Sequence, residues 1–339
     1  ENLIFNVVAK GKNFGARNKK SEKVMVEFSQ PNTHKSFHIG HLRGTSLGDS
    51  LVKILRANGF ETLAVNYPGD IGTHVAKVIW FLTKFHKGNL RKSAAFSRPR
   101  QALLGSGFPK ENRGEWLGKM YAAANKELEG HESYHEEVAE TLRKLEAGDS
   151  KLKKLWKETR KWSLDEFNRI YKQLGVEFDQ WIFESEVEAG GKKIVAGLLK
   201  RGLAIKDQGA LLVDLTKYSL DKFLVLKSDG ASLYSTKDLE LARLKFEKFK
   251  VDRSIVITGY EQKFYFQQLF KTLELMGFKQ ASKCYHLPYG LVNVGGKKMS
   301  SRAGDVVIYT ELFGAAYKEV VDKIKQRNEK LSKKILEET

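Results

Sequence analysis

The sequence predicts an α/β protein built on a parallel sheet, because strands and helices alternate along it. An apolar strand at Lys23–Phe28 precedes a helical pattern at about His38–Asn58. A second strand at Thr62–Val65 precedes a second helical pattern at Thr73–Phe85. Strands that alternate with helices are joined by crossovers, so they pair side by side in the same direction.

Composition narrows the class of protein further. The chain has 339 residues, of which 41% are hydrophobic, so it can bury a sizeable core and is not a disordered chain. Lys and Arg outnumber Asp and Glu by 59 − 41 = 18, and the pI is near 9.6. This balance favours a polyanionic partner, with nucleic acid as the leading candidate and a basic surface without a partner as the alternative.

The single cysteine and the absence of long apolar runs set the expected compartment. Cys284 alone excludes an intrachain disulfide framework and a multi-cysteine metal site, so we expect a reducing cytoplasm. No run approaches the ~20 apolar residues of a membrane helix, so no membrane partner is expected. The chain begins at Glu1 without a signal-peptide pattern, and we expect it to be part of a longer protein.

The middle of the chain interrupts the alternation. Residues 87–157 are rich in Lys, Arg, Gly and Glu, with helical patterns at Trp116–Leu128 and Tyr134–Glu146, which indicates a helical insertion. The spacing of Ser163 and Glu166 is that of a capping box and predicts a helix that starts there and ends near Gly175.

The second half of the chain resumes the alternation and ends in a helical pattern. The last helix, at Leu312–Leu336, has an apolar stripe that must pack against something, so we expect it to begin a further helical domain. The strands predicted here are Ala210–Asp214, Phe223–Lys227 and Ser254–Thr258, and the earlier helices are Val187–Leu199, Thr236–Phe249 and Glu261–Met276.

Two motifs indicate chemistry on phosphates. His38 and His41 flank Gly40 at the start of the first predicted helix, where free N–H groups attract a phosphate and a glycine lets a nucleotide approach. The alternative is a pair of solvated histidines that cap the helix. Lys297 and Lys298 precede Met299–Ser301 in a glycine-flanked loop, which could close on a polyphosphate or be only a basic surface loop.

Together these motifs resemble class I arginyl-tRNA synthetases. The resemblance covers roughly residues 23–310, in collinear order, and implies a Rossmann-like doubly wound parallel sheet. The matching segments are Val26–Asn32 (VEFSQPN), Lys35–Arg43 (KSFHIGHLR), Val65–Gly72 (VNYPGDIG), Leu233–Asp238 (LYSTKD), Gly259–Gln262 (GYEQ) and Lys298–Ser301 (KMSS).

The resemblance also implies a domain organisation. It makes residues 1–22 the tail of an N-terminal domain or linker, and 23–86 the first half of the catalytic domain. Residues 87–157 would be the insertion, and 158–310 the second half with the mobile Lys-Met-Ser loop. Residues 311–339 would begin an α-helical anticodon-binding domain.

A pocket for arginine needs carboxylates, because a guanidinium is a flat, permanently charged fork of donors. Glu27 ends an apolar strand, where a carboxylate is costly unless it meets a cation. The resemblance puts Glu27, Tyr234 and Asp238 around the guanidinium. The alternatives are that Asp238 and Ser235 cap a helix and that Glu27 pairs with a structural lysine. The α-amino and carboxylate groups would be bound by Asn32, His38 and Gln262.

The implied reaction is attack of the L-arginine carboxylate on the α-phosphate of ATP, followed by transfer to tRNA(Arg). His38 and His41 would stabilise the pentavalent phosphorus and Lys298 the departing pyrophosphate. Mg²⁺ would accompany ATP, and no protein metal site is expected. The implied ATP-binding residues are His38, Gly40, His41, Gly259, Lys298, Met299, Ser300 and Ser301.

Some positions depart from the family pattern, and two other functions stay open. Ser301 stands where the loop signature has a second lysine, and Tyr265 where a histidine is common. One alternative is another H-x-G-H nucleotidyl transferase, including a different class I synthetase. The other is a tRNA-binding module without catalysis. Exchange of pyrophosphate into ATP with each amino acid would separate them.

Overall fold

The fold is known from a computed structural model, which describes residues 2–11, 14–15, 17–85, 108–290, 292–294, 297–298 and 307–327. The strands are β1 Lys23–Glu27, β2 Glu61–Asn66, β3 Gln180–Trp181, β4 Ile205–Asp207, β5 Ala210–Asp214, β6 Lys222–Leu226, β7 Arg253–Gly259, β8 Cys284–Tyr289, β9 Asn293–Val294 and β10 Lys297–Lys298. The helices are α1 Asn2–Lys10, α2 Ile39–Ala57, α3 Thr73–Phe85, α4 Arg113–Leu128, α5 Glu132–Ala147, α6 Ser150–Leu174, α7 Glu184–Lys200, α8 Tyr234–Glu247, α9 Lys263–Leu275 and α10 Tyr309–Arg327.

The central sheet has five parallel strands in the order β3-β2-β1-β7-β8. Numbered by their order along the chain within this sheet, the strands run 3-2-1-4-5, which is the doubly wound order. In the middle, Val26 is in register with Ala64 of β2 and Ile255 of β7. The predicted α/β class is therefore confirmed, and the winding reverses between β1 and β7.

The core around the central strand explains why this segment forms the middle of the sheet. Val24, Met25 and Val26 are at most 2% exposed, because both faces of β1 are covered by helices. Phe167 and Tyr171 of α6 pack in the same apolar cluster as β1. The carboxyl ends of β1 and β7 lie at the edge of this core, where the chain turns into loops.

The predicted strands at 210–214 and 223–227 exist, but they do not join the parallel sheet. They are β5 and β6, and with β4 they form a separate antiparallel sheet. The connection between β4 and β5 is only Gln208-Gly209, with φ values of +45° and +85°. A two-residue turn of this kind builds a hairpin and is too short for a parallel crossover.

The capping box predicted at Ser163 is wrong, because α6 runs without a break from Ser150 to Leu174. Its N-cap is Asp149, whose carboxylate accepts from the N–H groups of Lys151 and Leu152. Ser163 is buried inside the helix, and its hydroxyl accepts from the His34 N–H at 2.9 Å. The proposed domain boundary at residue 157 therefore falls inside one helix, and the division into domains stays a prediction.

The helices α3, α4, α5 and α6 share one apolar cluster, which includes Trp80, Tyr121 and Trp162. The first residues of the predicted insertion, up to 107, lie outside the described residues. The terminal helix α10 begins three residues earlier than predicted, and positions beyond 327 also lie outside. In the part of the chain that the structure describes, no helix has both the length and the apolar character for a membrane span.

Candidate active site

A cavity of about 620 Å³ opens at the carboxyl ends of β1 and β7, where the strand order reverses. Ligands of doubly wound sheets bind at this point, because the loops diverge there and leave a crevice. The structure brings nine of the residues predicted from sequence to its wall. They are Glu27, Asn32, His38, Gly40, His41, Tyr234, Asp238, Gly259 and Gln262.

The backbone of Lys298 is paired with a strand that adjoins the wall of this cavity. Lys298 in β10 pairs with Asn293 in β9, and the neighbouring Val292 lines the cavity. Further along the chain, the Val307 carbonyl accepts from the Ile39 N–H at 3.1 Å. This bond holds the segment that begins at Val307 against the start of α2. Met299, Ser300 and Ser301 lie outside the described residues.

His38 and His41 form one end of the cavity, called here the imidazole end. The Nδ1 atom of His38 accepts from the Gly40 N–H at 3.1 Å, and Nδ1 of His41 accepts from the His38 N–H at 3.2 Å. The rings stack with centroids 3.8 Å apart. Because each Nδ1 is an acceptor, a neutral ring carries its proton on Nε2, which is then the donor available to a ligand.

The surroundings keep both rings neutral near pH 7. Burial, with a smaller contribution from the Lys35 charge, lowers the pKa of His38 to about 4. Burial and the charges of His38 and Lys35 lower the pKa of His41 well below 6.5. A Cβ at Gly40 would lie 2.9 Å from Cε1 of His38. The glycine therefore makes room for the His38 ring, a reason that the sequence did not indicate.

Glu27 lines the same cavity and belongs to a separate group of acidic side chains. Its side chain is buried, and Oε1 accepts from Gln30 Nε2 at 2.8 Å. Lys245 Nζ lies 2.5 Å from Oε2, so the predicted alternative of a lysine partner is confirmed. Glu27 also lines the cavity, and the two roles are therefore compatible.

Asp238 stands beside Glu27 and does not cap its helix. Oδ2 of Asp238 accepts from the Tyr265 hydroxyl at 2.5 Å. Burial raises the pKa of Asp238 to about 6, while the Tyr265 bond opposes the rise and the Glu27 charge adds to it. The capping alternative is wrong. The Leu233 N–H, which lies at the N-cap of α8, donates to Thr236 Oγ1 at 2.9 Å, so Thr236 makes the capping contact.

Sequence reasoning missed Glu184 and Tyr67, and it treated Tyr265 only as a departure from the family pattern. Glu184 is 3% exposed, forms an ion pair with Lys237, and lines the cavity. Burial raises the pKa of Glu184 to about 7, although Lys237 lowers it. The Tyr67 hydroxyl is buried without a hydrogen-bond partner among the described residues. We call Glu27, Glu184 and Asp238 the acid end.

The remaining predicted residues line the same cavity. Asn32 is bridged to Gly69, and a Cβ at Gly69 would lie 2.2 Å from Oδ1 of Asn32. Gln262 is exposed at the start of α9, and Tyr234 is 53% exposed at the start of α8. Within the described ranges, no cluster of three or more His, Cys, Asp or Glu is arranged to hold a metal ion.

The chain is similar in sequence to known proteins. An arginine–tRNA ligase of Bdellovibrio bacteriovorus is 39% identical over 299 residues, which cover 86% of this chain and 48% of that protein. One from Clostridium perfringens is 34% identical over 335 residues, covering 98% of this chain and 56% of the relative. The chain thus spans about half the length of the relatives it matches.

Solved structures show the same fold. Arginyl-tRNA synthetase of Thermus thermophilus superposes with a TM-score of 0.71 at 21% identity, over 94% of this chain and 56% of that one. The enzyme of Plasmodium falciparum superposes with a TM-score of 0.67 at 22% identity, over 92% and 48%. The family model described as "tRNA synthetases class I (R), catalytic domain" matches residues 3–105 and 106–338. The chain therefore belongs to the family of class I tRNA synthetase catalytic domains of the R type.

Proposed function

We propose that this chain is the catalytic core of an arginine–tRNA ligase, which activates L-arginine with ATP and transfers it to tRNA(Arg). One observation carries the proposal: a single cavity at the switch point of the sheet joins a neutral imidazole pair to a buried acid cluster. The first suits phosphate oxygens, and the second suits a cation. Relatives that are named arginine–tRNA ligase support the same assignment.

The acid end would take the guanidinium. Glu27, Glu184 and Asp238 come from three separate elements, and a planar fork of five donors can reach acceptors in several directions. Tyr234 would cover the guanidinium from the rim. Asn32, His38 and Gln262 would bind the α-amino and carboxylate groups, which places the nucleophilic carboxylate toward the imidazole end.

The imidazole end would take ATP, with Gly40 and Gly259 in contact with the nucleotide. The arginine carboxylate attacks the α-phosphorus in line, the bond to the bridging oxygen breaks, and pyrophosphate leaves. No general base is needed, because the attacking group is already an anion. Nε2–H groups of His38 and His41 stabilise the charge on the pentavalent phosphorus, and Lys298 with Met299, Ser300 and Ser301 would hold the departing pyrophosphate. Mg²⁺ would arrive bound to ATP.

The tRNA would approach over a basic surface, and its terminal ribose hydroxyl would then attack the carbonyl carbon of the adenylate, which breaks the bond to the phosphate and releases AMP. The first half of α6 exposes five lysines to solvent, which suits sequence-independent contacts to phosphates of the acceptor end. They are Lys151, Lys153, Lys154, Lys157 and Lys161. A cytoplasmic location, expected from the single cysteine, completes the proposal.

The test is ATP–pyrophosphate exchange with each amino acid in turn, with tRNA present. Arginine should support exchange, and lysine, glutamate and citrulline should not. Exchange driven better by another amino acid would reject the arginine assignment. Retained tRNA binding without exchange by any amino acid would instead identify a tRNA-binding module.

A further inference from the structure

We propose that Lys237 and Lys245 are positioning residues that fix the acid end at one net negative charge, so that a single guanidinium neutralises it. This inference rests on the proposed function, since it concerns how the same cavity selects a singly charged side chain. Both lysines belong to α8, the helix that also carries Asp238. Neither lines the cavity, so they act through the carboxylates that do.

The two lysines each hold one carboxylate from a different element. Lys237 pairs with Glu184 at the start of α7, and Lys245 pairs with Glu27 at the end of β1. All four side chains are at most 5% exposed, so water screens these charges little. Among the residues that the structure describes, Asp238 has no lysine of its own, and its Oδ2 accepts from the neutral Tyr265 hydroxyl.

The formal charge follows from counting. Three ionised carboxylates and two ammonium groups give 2 − 3 = −1. A buried charge without a partner is costly, so the empty site favours taking up a proton or a cation. One guanidinium brings the count to zero, whereas a neutral side chain of the same shape, such as citrulline, leaves the negative charge unpaired. Removing either lysine would change the net charge of the acid end from −1 to −2.

The protonation of Asp238 and Glu184 depends on the charged groups that face them. Asp238 faces Glu27 from β1, Tyr265 from α9, and Lys237 and Lys245 from its own helix. Glu184 faces Lys237, Asp238 and Asp70, and Asp70 is itself paired with Arg160 at 2.7 Å. Both lysines lower the pKa of Asp238, and Lys237 lowers that of Glu184. Without a lysine, the site therefore holds a proton that arginine must displace.

The experiment is calorimetric titration of the whole chain with L-arginine at pH 7.5, in buffers of different ionisation enthalpy. The slope of the observed binding enthalpy against the ionisation enthalpy of the buffer gives the number of protons released on binding. For the unaltered protein at this pH, pKa values of about 7 for Glu184 and about 6 for Asp238 predict release of well under one proton. Lys245→Met and Lys237→Met should each raise the release toward one proton, and Lys245→Arg should leave it unchanged.

A double variant separates the charge count from simple loss of a contact. Lys237→Met with Glu184→Gln restores the count to −1 and removes both members of a buried pair, which proteins tolerate better than removal of one. Arginine affinity should fall, but the proton release should return to the low value of the unaltered protein or below it. Lys248→Met, an exposed lysine just after α8, is the matched control and should change nothing.

The outcomes distinguish this inference from the proposed function. If the unaltered chain shows neither a heat of arginine binding nor arginine-dependent pyrophosphate exchange, the proposed function is rejected. Suppose instead that the unaltered protein and the Lys245→Met and Lys237→Met variants all fold and bind arginine. Equal proton release in the three proteins would then reject only the charge count. If the single variants do not fold, a double variant that still releases about one proton would reject it as well.

Discussion

The two ends of the cavity solve opposite electrostatic problems with different means. The imidazole end uses neutral rings fixed by backbone N–H groups within four residues of the chain. The acid end uses charged groups from β1, α7 and α8, held by ion pairs between residues up to 218 positions apart (245 − 27). Local geometry therefore suffices to orient these donors, whereas the neutrality of the rings, which comes from burial, and the buried charges both require the assembled fold.

This difference predicts that the two ends respond differently to pH and that mutations at the two ends affect different steps. Imidazoles whose pKa is far below 7 keep one protonation state across the physiological range. Carboxylates whose pKa is near 6 and 7 do not. Mutation of His41 should affect the rate of adenylate formation, and mutations at the acid end should affect arginine binding.

The largest expected effect is that of His41→Ala on adenylate formation. We expect a loss of at least about a thousandfold in kcat, because the Nε2–H donor acts on charge that develops only in the transition state. Exchange of pyrophosphate into ATP, with tRNA present, measures this. The arginine KM should change little, since His41 belongs to the other end.

His135→Ala is the control for this substitution, because His135 is exposed on α5. Circular dichroism should show the same fold for both variants. Undiminished exchange in His41→Ala would mean that the ring serves only to accept the His38 N–H bond.

The next effect is a pH dependence confined to the acid end. The pKa values of Glu184 and Asp238 are raised to about 7 and about 6, and arginine binds their ionised forms. The arginine KM should therefore be flat above about pH 8 and rise as pH falls through 7 and 6. By pH 5.5 the rise should reach roughly a hundredfold.

The KM for ATP gives the comparison within the same experiment. Because His38 has a pKa of about 4, its ring stays neutral from pH 8 down to 5.5. With Mg²⁺ saturating, the KM for ATP should stay within about threefold over this range. Equal pH slopes for both substrates would contradict the assignment of opposite protonation behaviour to the two ends.

What could be read from the sequence divides along the same line. The alternation of strands and helices, the H-x-G-H turn and its place after the first strand are local signals, and each was found in the structure. Glu184 could not be read in this way, because an acid at a helix N-terminus is explained by the helix dipole alone. The Lys245–Glu27 pair joins distant segments, so the sequence left open whether Glu27 had a lysine partner.

One wrong prediction arose from a local signal that the chain overrides. The Ser163 capping box is a real spacing, but strong helix formers on both sides continue α6 through it. Tyr265 differs from the family pattern, yet its hydroxyl donates to Asp238, so the departure supplies a donor in the acid end. The hairpin at Gln208-Gly209 was readable from its turn residues and was passed over.

The smallest of these effects, Asp238→Ala, tests the acid end most directly. In the described part of the chain, Asp238 is the acid-end carboxylate without a lysine partner, so its removal takes the site from one net negative charge to none. We expect the arginine KM to rise at least tenfold, about 1.4 kcal/mol for one charge-assisted contact, with the KM for ATP unchanged. Glu247→Ala, an exposed acid at the end of α8, is the matched control. An unaltered arginine KM in a folded Asp238→Ala protein would mean that Asp238 serves Tyr265 rather than the substrate, and that the cation is held by Glu27 and Glu184 alone.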